Sequence, residues 1–395
     1  MADSHFHETK PLAEVPRVGV GMLGYGFMGR AHSLGYRRLI DVSWPPTVLP
    51  RLVAICGRNE ERVSAAAQRY GYEGYYTDWE EMIADTNIQV LSNGTQPSLH
   101  AEPSIAALKA GKHVICEKPL APTMEEARAM WEAARASGRV HMTGFNYRFV
   151  PALRLARELI QSGALGEVYL FRAVYLQEFR REHHLFAMAS TPEGRGRGTL
   201  NNLGAHVIDM AHFLVGDIAA VSGKVTMHVP QRPAIQDPGK IVQETEDDTF
   251  HGVVDFANGA TGTITACNVI AGRKNFLEVE VSGTQGSLHF NLERLNELEV
   301  YLLKPEEPSV LGFRDVMVTE GGHPSLKHWW PRGHVLGWEA LFAEELLHFL
   351  TCVKEGRQAG PEGATFEDGY KAALVAEALR RASREGRRID ISDLE

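Results

Sequence analysis

The run GKHVICEKPLAP, residues 111–122, ends a short apolar strand, Val114-Ile115-Cys116, on a carboxylate and an ammonium, Glu117 and Lys118, set directly against Pro119. Proline removes a backbone donor and holds the residue before it in an extended conformation, which aims the Lys118 side chain in a fixed direction. A cation fixed at the end of a core strand is placed rather than incidental; the plain alternative is an ion pair with Glu117. A second chemical signal lies nearer the start, in RVGVGMLGYGFMGRAHSLGYRRL. There Val18, Val20, Met22 and Leu23 form a strand, Gly24-Tyr25-Gly26-Phe27-Met28-Gly29 follows at once, and Ala31 to Leu39 reads as a helix. Gly24 permits the tight turn, Gly26 lets the backbone approach a pyrophosphate, Gly29 lets helix and strand pack closely, and the helix N-terminus favours negative charge. Strand, glycine turn and helix in that order are the dinucleotide fingerprint; glycine spacing alone is weak.

The elements that must position these groups alternate. A strand, RLVAICG, follows the proline-rich insertion DVSWPPTVLP, then a helix, NEERVSAAAQRYG, and further strand and helix pairs up to VHMTGFNYRF, with Gly71, Gly111 and Gly138 closing helices. Such alternation builds a parallel sheet wrapped by helices on both faces, with ligands at the carboxyl ends of its strands. Glu117 and Lys118 therefore stand beside the nucleotide crevice. At the end of the second strand an acid would bind the ribose hydroxyls of NAD, whereas an arginine would accommodate the phosphate of NADP. This chain has Cys56-Gly57-Arg58-Asn59 there, which leans towards NADP unless Arg58 is only a solvated residue.

Composition removes other classes. A formal net charge of -9 over 395 residues argues against nucleic acid, which needs a clustered basic surface. No segment approaches the roughly 18 apolar residues of a membrane span. Cys56, Cys116, Cys267 and Cys352 lie far apart without a Cys-x-x-Cys pair, so they read as buried thiols, and the expected location is the cytoplasm. No metal is expected: His5 and His7 sit in a polar arm, and His183 and His184, adjacent on a strand, would point to opposite faces.

The segments GYGFMGRAH, HAEPSIAALKAGKHVICEKP and GTLNNLGAHVIDM resemble the Gfo/Idh/MocA oxidoreductases over nearly the whole chain. With Trp44-Pro45-Pro46, FNYRFVPAL, VYLQEF and GGHPSLKHWWP, the likeness is greatest to the levoglucosan dehydrogenase and inositol dehydrogenase branch, which favours NAD and so opposes the Arg58 reading. The expected fold is α/β: an N-terminal doubly wound Rossmann sheet over 16–142 after a flexible arm of 1–15, then an α+β domain over 143–395 with a large, mostly antiparallel open sheet. Strand-like runs such as DTFHGVVDFANGATGTITACNVI and NFLEVEVSGTQGSLHFNLE support that sheet independently. The resemblance implies that the second domain binds substrate and supports a homo-oligomer, a dimer or tetramer.

It also implies roles. Lys118 contacts the nicotinamide ribose and the reacting hydroxyl, and His206 exchanges the proton, as an imidazole of ordinary pKa near ~6.5 can at neutral pH. The family carries an acid four residues before that histidine, whereas this chain has Asn202, which can orient a partner but supplies no charge. The cofactor set is Gly24, Gly26, Phe27, Met28, Gly29, Arg58, Thr95, His100, Glu117 and Lys118; the substrate set is Tyr147, Arg148, Gln177, Asn202 and His206. His323, Lys327, His328, Trp329 and Trp330 either cover a sugar or pack the domain, and His212 falls away from the His206 face. The leading function is an NAD(P)-dependent dehydrogenase of a sugar, glycoside or cyclic polyol, yielding a keto-sugar. The alternatives are a degenerate nucleotide-binding regulatory protein and a sugar–sugar oxidoreductase with a permanently bound cofactor.

Overall fold

Six strands with a 3-2-1-4-5-6 order form the heart of the first unit in the computed structural model, which describes residues 11–43, 46–181, 187, 196–234, 237, 239–303, 311–324 and 329–394. The elements are β1 (Arg17–Leu23), α1 (Phe27–Val42), β2 (Leu49–Cys56), α2 (Glu60–Tyr70), β3 (Gly74–Tyr76), α3 (Trp79–Ala84), β4 (Val90–Asn93), α4 (Ala101–Lys109), β5 (His113–Glu117), α5 (Met124–Ser137) and β6 (His141–Gly144). All pairings are parallel. The central strands are buried on both faces, which is why Val90-Leu91-Ser92-Asn93 and Val114-Ile115-Cys116-Glu117 are unbroken buried runs rather than alternating ones.

The second unit begins with α6 (Pro151–Gln161) and β7 (Val168–Leu176). A single π-helical turn, Leu200–Gly204, leads into α7 (Ala205–Leu214). Then come β8 (Ile218–Thr226), a small hairpin of β9 (Gln231–Pro233) and β10 (Ile241–Gln243), β11 (Thr249–Phe256), β12 (Thr261–Cys267), β13 (Phe276–Gly283), β14 (Gly286–Asn291), β15 (Glu297–Leu302) and β16 (Arg314–Met317). Its nine-stranded sheet runs 16-15-14-13-7-12-11-8-17, with β17 (Ile389–Asp390) at one edge and β7–β12 as its parallel pair. Phe171, Ala173 and Tyr175 of β7 are buried while Leu170 and Arg172 face outwards, the period-two pattern of a sheet covered on one side.

The division differs from the single boundary expected after residue 142. Ser325–Tyr370 belongs to the first unit, so α8 (Ala340–Glu355) does too, and the division passes within α9 (Phe366–Glu385). Packing explains it. Leu346, Phe349 and Leu350 of α8 are fully buried in one cluster with Tyr36, Leu39 and Val42 of α1, and each such side chain contributes about 1.5–3 kcal/mol when removed from water. Chain order does not announce a return of this kind. Of the arm expected over 1–15, Leu12–Glu14 forms a 3-10 turn and Val15 is buried. His5, His7, Trp44, Pro45, His183, His184, Lys327 and His328 lie outside the described residues.

Two histidines in the first unit tie strand ends to the rest of the fold in their neutral form. His113 Nδ1 accepts from the Val140 N–H at 3.0 Å, and His141 Nδ1 accepts from Phe366 N–H at 3.0 Å. Burial pushes both imidazoles down to about 4, with Arg139 adding to the effect at His113. An unfolded histidine titrates near ~6.5, so the unfolded chain takes up protons that the native one refuses. Stability is thus full above that pH and is lost as pH falls towards the folded value. His141 contributes on the order of 3 kcal/mol, and the more solvated His113 less. Urea midpoints should fall steadily from pH ~7 to ~5; a flat profile would contradict this.

Candidate active site

The strand order reverses at β1 and β4, which opens a crevice at their carboxyl ends. Gly24 turns the chain there at φ 95°, and its N–H bonds the Cys56 carbonyl at 2.9 Å. A Cβ at residue 29 would fall 2.1 Å from the Gly24 carbonyl oxygen, so α1 can start this close only with glycine. Gly26 is different. Its backbone is extended and a Cβ there would meet nothing within 4 Å, so the fold itself makes no demand for glycine. The open side of the turn suits a bulky anion on the N-terminus of α1, and the residues present fit a dinucleotide. Gly26→Asn, a good N-cap, should leave the melting temperature nearly unchanged yet weaken dinucleotide binding by roughly tenfold or more, or about 1.4 kcal/mol, in a titration.

After β4 the chain is held by Asn93, which the sequence reading missed. Its Nδ2 donates to the Leu99 and His100 carbonyls, and its Oδ1 accepts from Thr95 N–H and from Thr95 Oγ1–H at 2.6 Å. On the loop so fixed, Gln96 Oε1 and Ser98 Oγ are buried with no hydrogen-bond partner among the described residues, leaving polar atoms for a ligand at the crevice. Arg58 is exposed just past β2, and Asn59 is occupied in capping α2 through Arg62 N–H. Phe27, 70 % exposed, stacks on Trp338 at 5.9 Å, while Met28 follows it in the first turn of α1.

Lys118 follows the last residue of β5, and its peptide bond to Pro119 is cis. Two buried groups surround this turn. His100, fully buried, has Nδ1 2.9 Å from the Pro119 carbonyl and Nε2 3.2 Å from the Thr95 carbonyl. Burial holds its imidazole below the ordinary range despite those acceptors, so the neutral ring donates to one of the two carbonyls and packs against the other. Glu117, expected beside the cofactor, is 2 % exposed; its Oε1 lies 2.9 Å from His32 Nε2 and its Oε2 accepts the Lys118 N–H at 3.2 Å. The signal for His32 was its position three residues past Gly29, on the face of α1 that turns to the sheet.

In the second unit the π turn carries Asn202, whose N–H bonds the Gly198 carbonyl at 2.8 Å, and delivers His206 to the first turn of α7. Single π turns recur at functional sites. Their surroundings are built: Leu200 N–H bonds Asp247 Oδ2 at 2.7 Å, and Asn201 is held by the Pro122 carbonyl and Arg380. His206 is 5 % exposed, with the Tyr175 ring edge-on at 5.8 Å. Tyr175 Oη donates to Asn275 Oδ1 at 2.7 Å, and Gln177 Nε2 donates to the same oxygen. Gln177 is therefore grouped with Tyr175 and His206, and the strand period relating Tyr175 to Gln177 was the available clue.

The remaining candidates separate. Tyr147 is buried on the 3-10 turn Asn146–Phe149. Arg148, expected against a sugar, is 2 % exposed and its Nη2 lies 3.1 Å from Asp368 Oδ1. Burial would raise the Asp368 carboxyl, but Arg148 and the Thr365 donors outweigh it and hold it low. Trp329 is core: buried, with Nε1 donating to Glu344 Oε1 at 2.6 Å, whereas Trp330 is exposed. His323 Nδ1 accepts the Glu320 N–H in its own turn, and His212 pairs with Asp217. Among the described residues no group of His, Cys, Asp and Glu is placed to hold a metal ion, and no helix is long and apolar enough to cross a membrane.

A Rossmann unit with a glycine cradle, joined to a unit built on a large mixed sheet that carries a histidine after a π turn, defines an oxidoreductase class. The family model described as "Oxidoreductase family, NAD-binding Rossmann fold" matches residues 18–145, and "GFO/IDH/MocA C-terminal domain" matches 153–289. The chain is 36% identical over 391 residues to levoglucosan dehydrogenase of Pseudarthrobacter phenanthrenivorans, covering 95% of this chain and 99% of that one. It is 26% identical to D-apiose dehydrogenase of Paraburkholderia graminis, over 96% of this chain and 92% of the relative. A levoglucosan dehydrogenase solved in complex with NADH and levoglucosan superposes with a TM-score of 0.90 at 37% identity, covering 95% and 99% of the two chains. The protein belongs to the Gfo/Idh/MocA oxidoreductase family.

Proposed function

We propose that the protein oxidises a secondary hydroxyl of a sugar, glycoside or cyclic polyol to the ketone, with a nicotinamide dinucleotide as partner. The observation that carries this is the presence in one chain of Lys118, at the carboxyl end of a central Rossmann strand, and His206, buried after a π turn. A purely nucleotide-binding protein would need neither. Lys118 anchors and polarises the hydroxyl, and His206 takes its proton. Asn202 orients a hydroxyl, with Tyr147 and Gln177 contributing further contacts to the sugar. When bound, the nicotinamide accepts the hydride at C4.

The working cofactor in this reading is NAD, supported by the family description and by the relative solved with NADH. Arg58 in the sequence position after β2 where an NAD-specific chain carries an acid favours NADP as the second reading. We further read the protein as a cytoplasmic homo-oligomer; the oligomer is supported by Leu170 on β7 and Val253 on β11, exposed on the two strands that flank β12 in the large sheet. The test is reduced-nicotinamide absorbance with each cofactor against levoglucosan, glucose, glucosides and inositols. A rise with one pair supports dehydrogenation and fixes the cofactor. No rise with any pair, with nucleotide binding intact, would favour a degenerate protein or a cofactor that never exchanges.

A further inference from the structure

We propose that His32 is a positioning residue for Lys118, acting through Glu117; this rests on the reading of Lys118 given above. His32 stands on α1 and is fully buried, with Nδ1 2.8 Å from Ser92 Oγ on β4 and Nε2 2.9 Å from Glu117 Oε1 on β5. The other carboxylate oxygen accepts the Lys118 N–H. One imidazole thus joins the first helix to β4 and β5, next to the backbone of the lysine. Residue 144 on β6 is glycine where a Cβ would lie 2.9 Å from Glu117 Oε1, so the fold makes room for this carboxylate. The Phe342 ring of α8 packs 5.9 Å from the imidazole and closes it off.

A buried carboxylate is tolerated when it is paired and its oxygens are satisfied. Here the partners are a side chain fixed at both nitrogens and the backbone of the residue that carries the chemistry. Loss of the His32 link leaves Glu117 free to turn, and Lys118 loses the anchor that sets its backbone. The glycine fingerprint places no demand on residue 32, and the proposed reaction passes no proton through it.

The contrast of His32→Gln with His32→Asn in the full chain tests this. Glutamine places its amide nitrogen near the position of Nε2 and can still donate to Glu117; asparagine reaches Ser92 but is too short for Glu117. His32→Gln should keep kcat within about threefold of wild type, while His32→Asn should lose about 10- to 100-fold, with Kd for NAD little changed in both. Equal kcat in both variants, or nucleotide binding lost in step with kcat, would overturn the positioning role. In the unmodified protein the Lys118 amide should exchange slowly with deuterium, and fast exchange would overturn the role without any variant. Near-normal turnover in Lys118→Ala would instead defeat the reading of Lys118 itself; an inactive Lys118→Ala beside a fully active His32→Asn defeats only the role of His32.

Discussion

Lys118→Ala is expected to lower kcat by about 10²–10⁴-fold while NAD binds with nearly unchanged affinity. The asymmetry follows from where the two functions reside. In the proposed reading, dinucleotide binding rests chiefly on the Gly24–Gly29 cradle and on the Gln96 and Ser98 loop, neither of which the substitution alters. In the proposed mechanism, turnover depends on a positive charge aimed at a hydroxyl from the end of β5. Lys118→Arg restores charge without the compact ammonium geometry, so it should recover little. Isothermal titration with NAD and steady-state kinetics on one sample separate the two quantities. Near-normal kcat in the alanine variant would remove Lys118 from the reaction.

His206→Ala should cost a similar factor, about 10²–10⁴ in kcat, again with nucleotide affinity retained. Asn202 makes the effect clean. Where a carboxylate would stabilise the developing imidazolium, the amide supplies no charge, so no neighbour in the π turn can take over the proton if the imidazole is removed. The π turn itself should survive, because Asp247 and Gly198 hold it through backbone N–H groups rather than through His206. Circular dichroism unchanged beside a lost kcat is the expected result. A variant with wild-type kcat would move the base elsewhere.

Much of the first unit was legible because parallel sheets write themselves as apolar runs punctuated by glycine. The nucleotide turn and the Glu117-Lys118-Pro119 end of β5 could be placed from local order alone. The return of α8 to the first unit could not, since its apolar stripe matches α1 only once both helices exist in space. Among the candidate residues, Lys118, His206 and Asn202 were marked by residue type and by family likeness. His32, Tyr175 and Asn275 act through contacts distant in sequence, such as the 85-residue separation of His32 and Glu117, whereas Asn93 works locally, within its own loop. Arg148 carried a sugar-seeking chemistry in the sequence, and only the fold revealed Asp368 as its partner.

The most direct measurement is transfer of deuterium from a sugar labelled at its secondary carbinol carbons to the nicotinamide ring, read by mass spectrometry of the recovered cofactor. Label at C4 of the reduced nicotinamide, together with a keto-sugar lacking that deuterium, is the expected result. Nucleotide bound tightly but never labelled, with every sugar recovered unchanged, would contradict the assignment as a dehydrogenase.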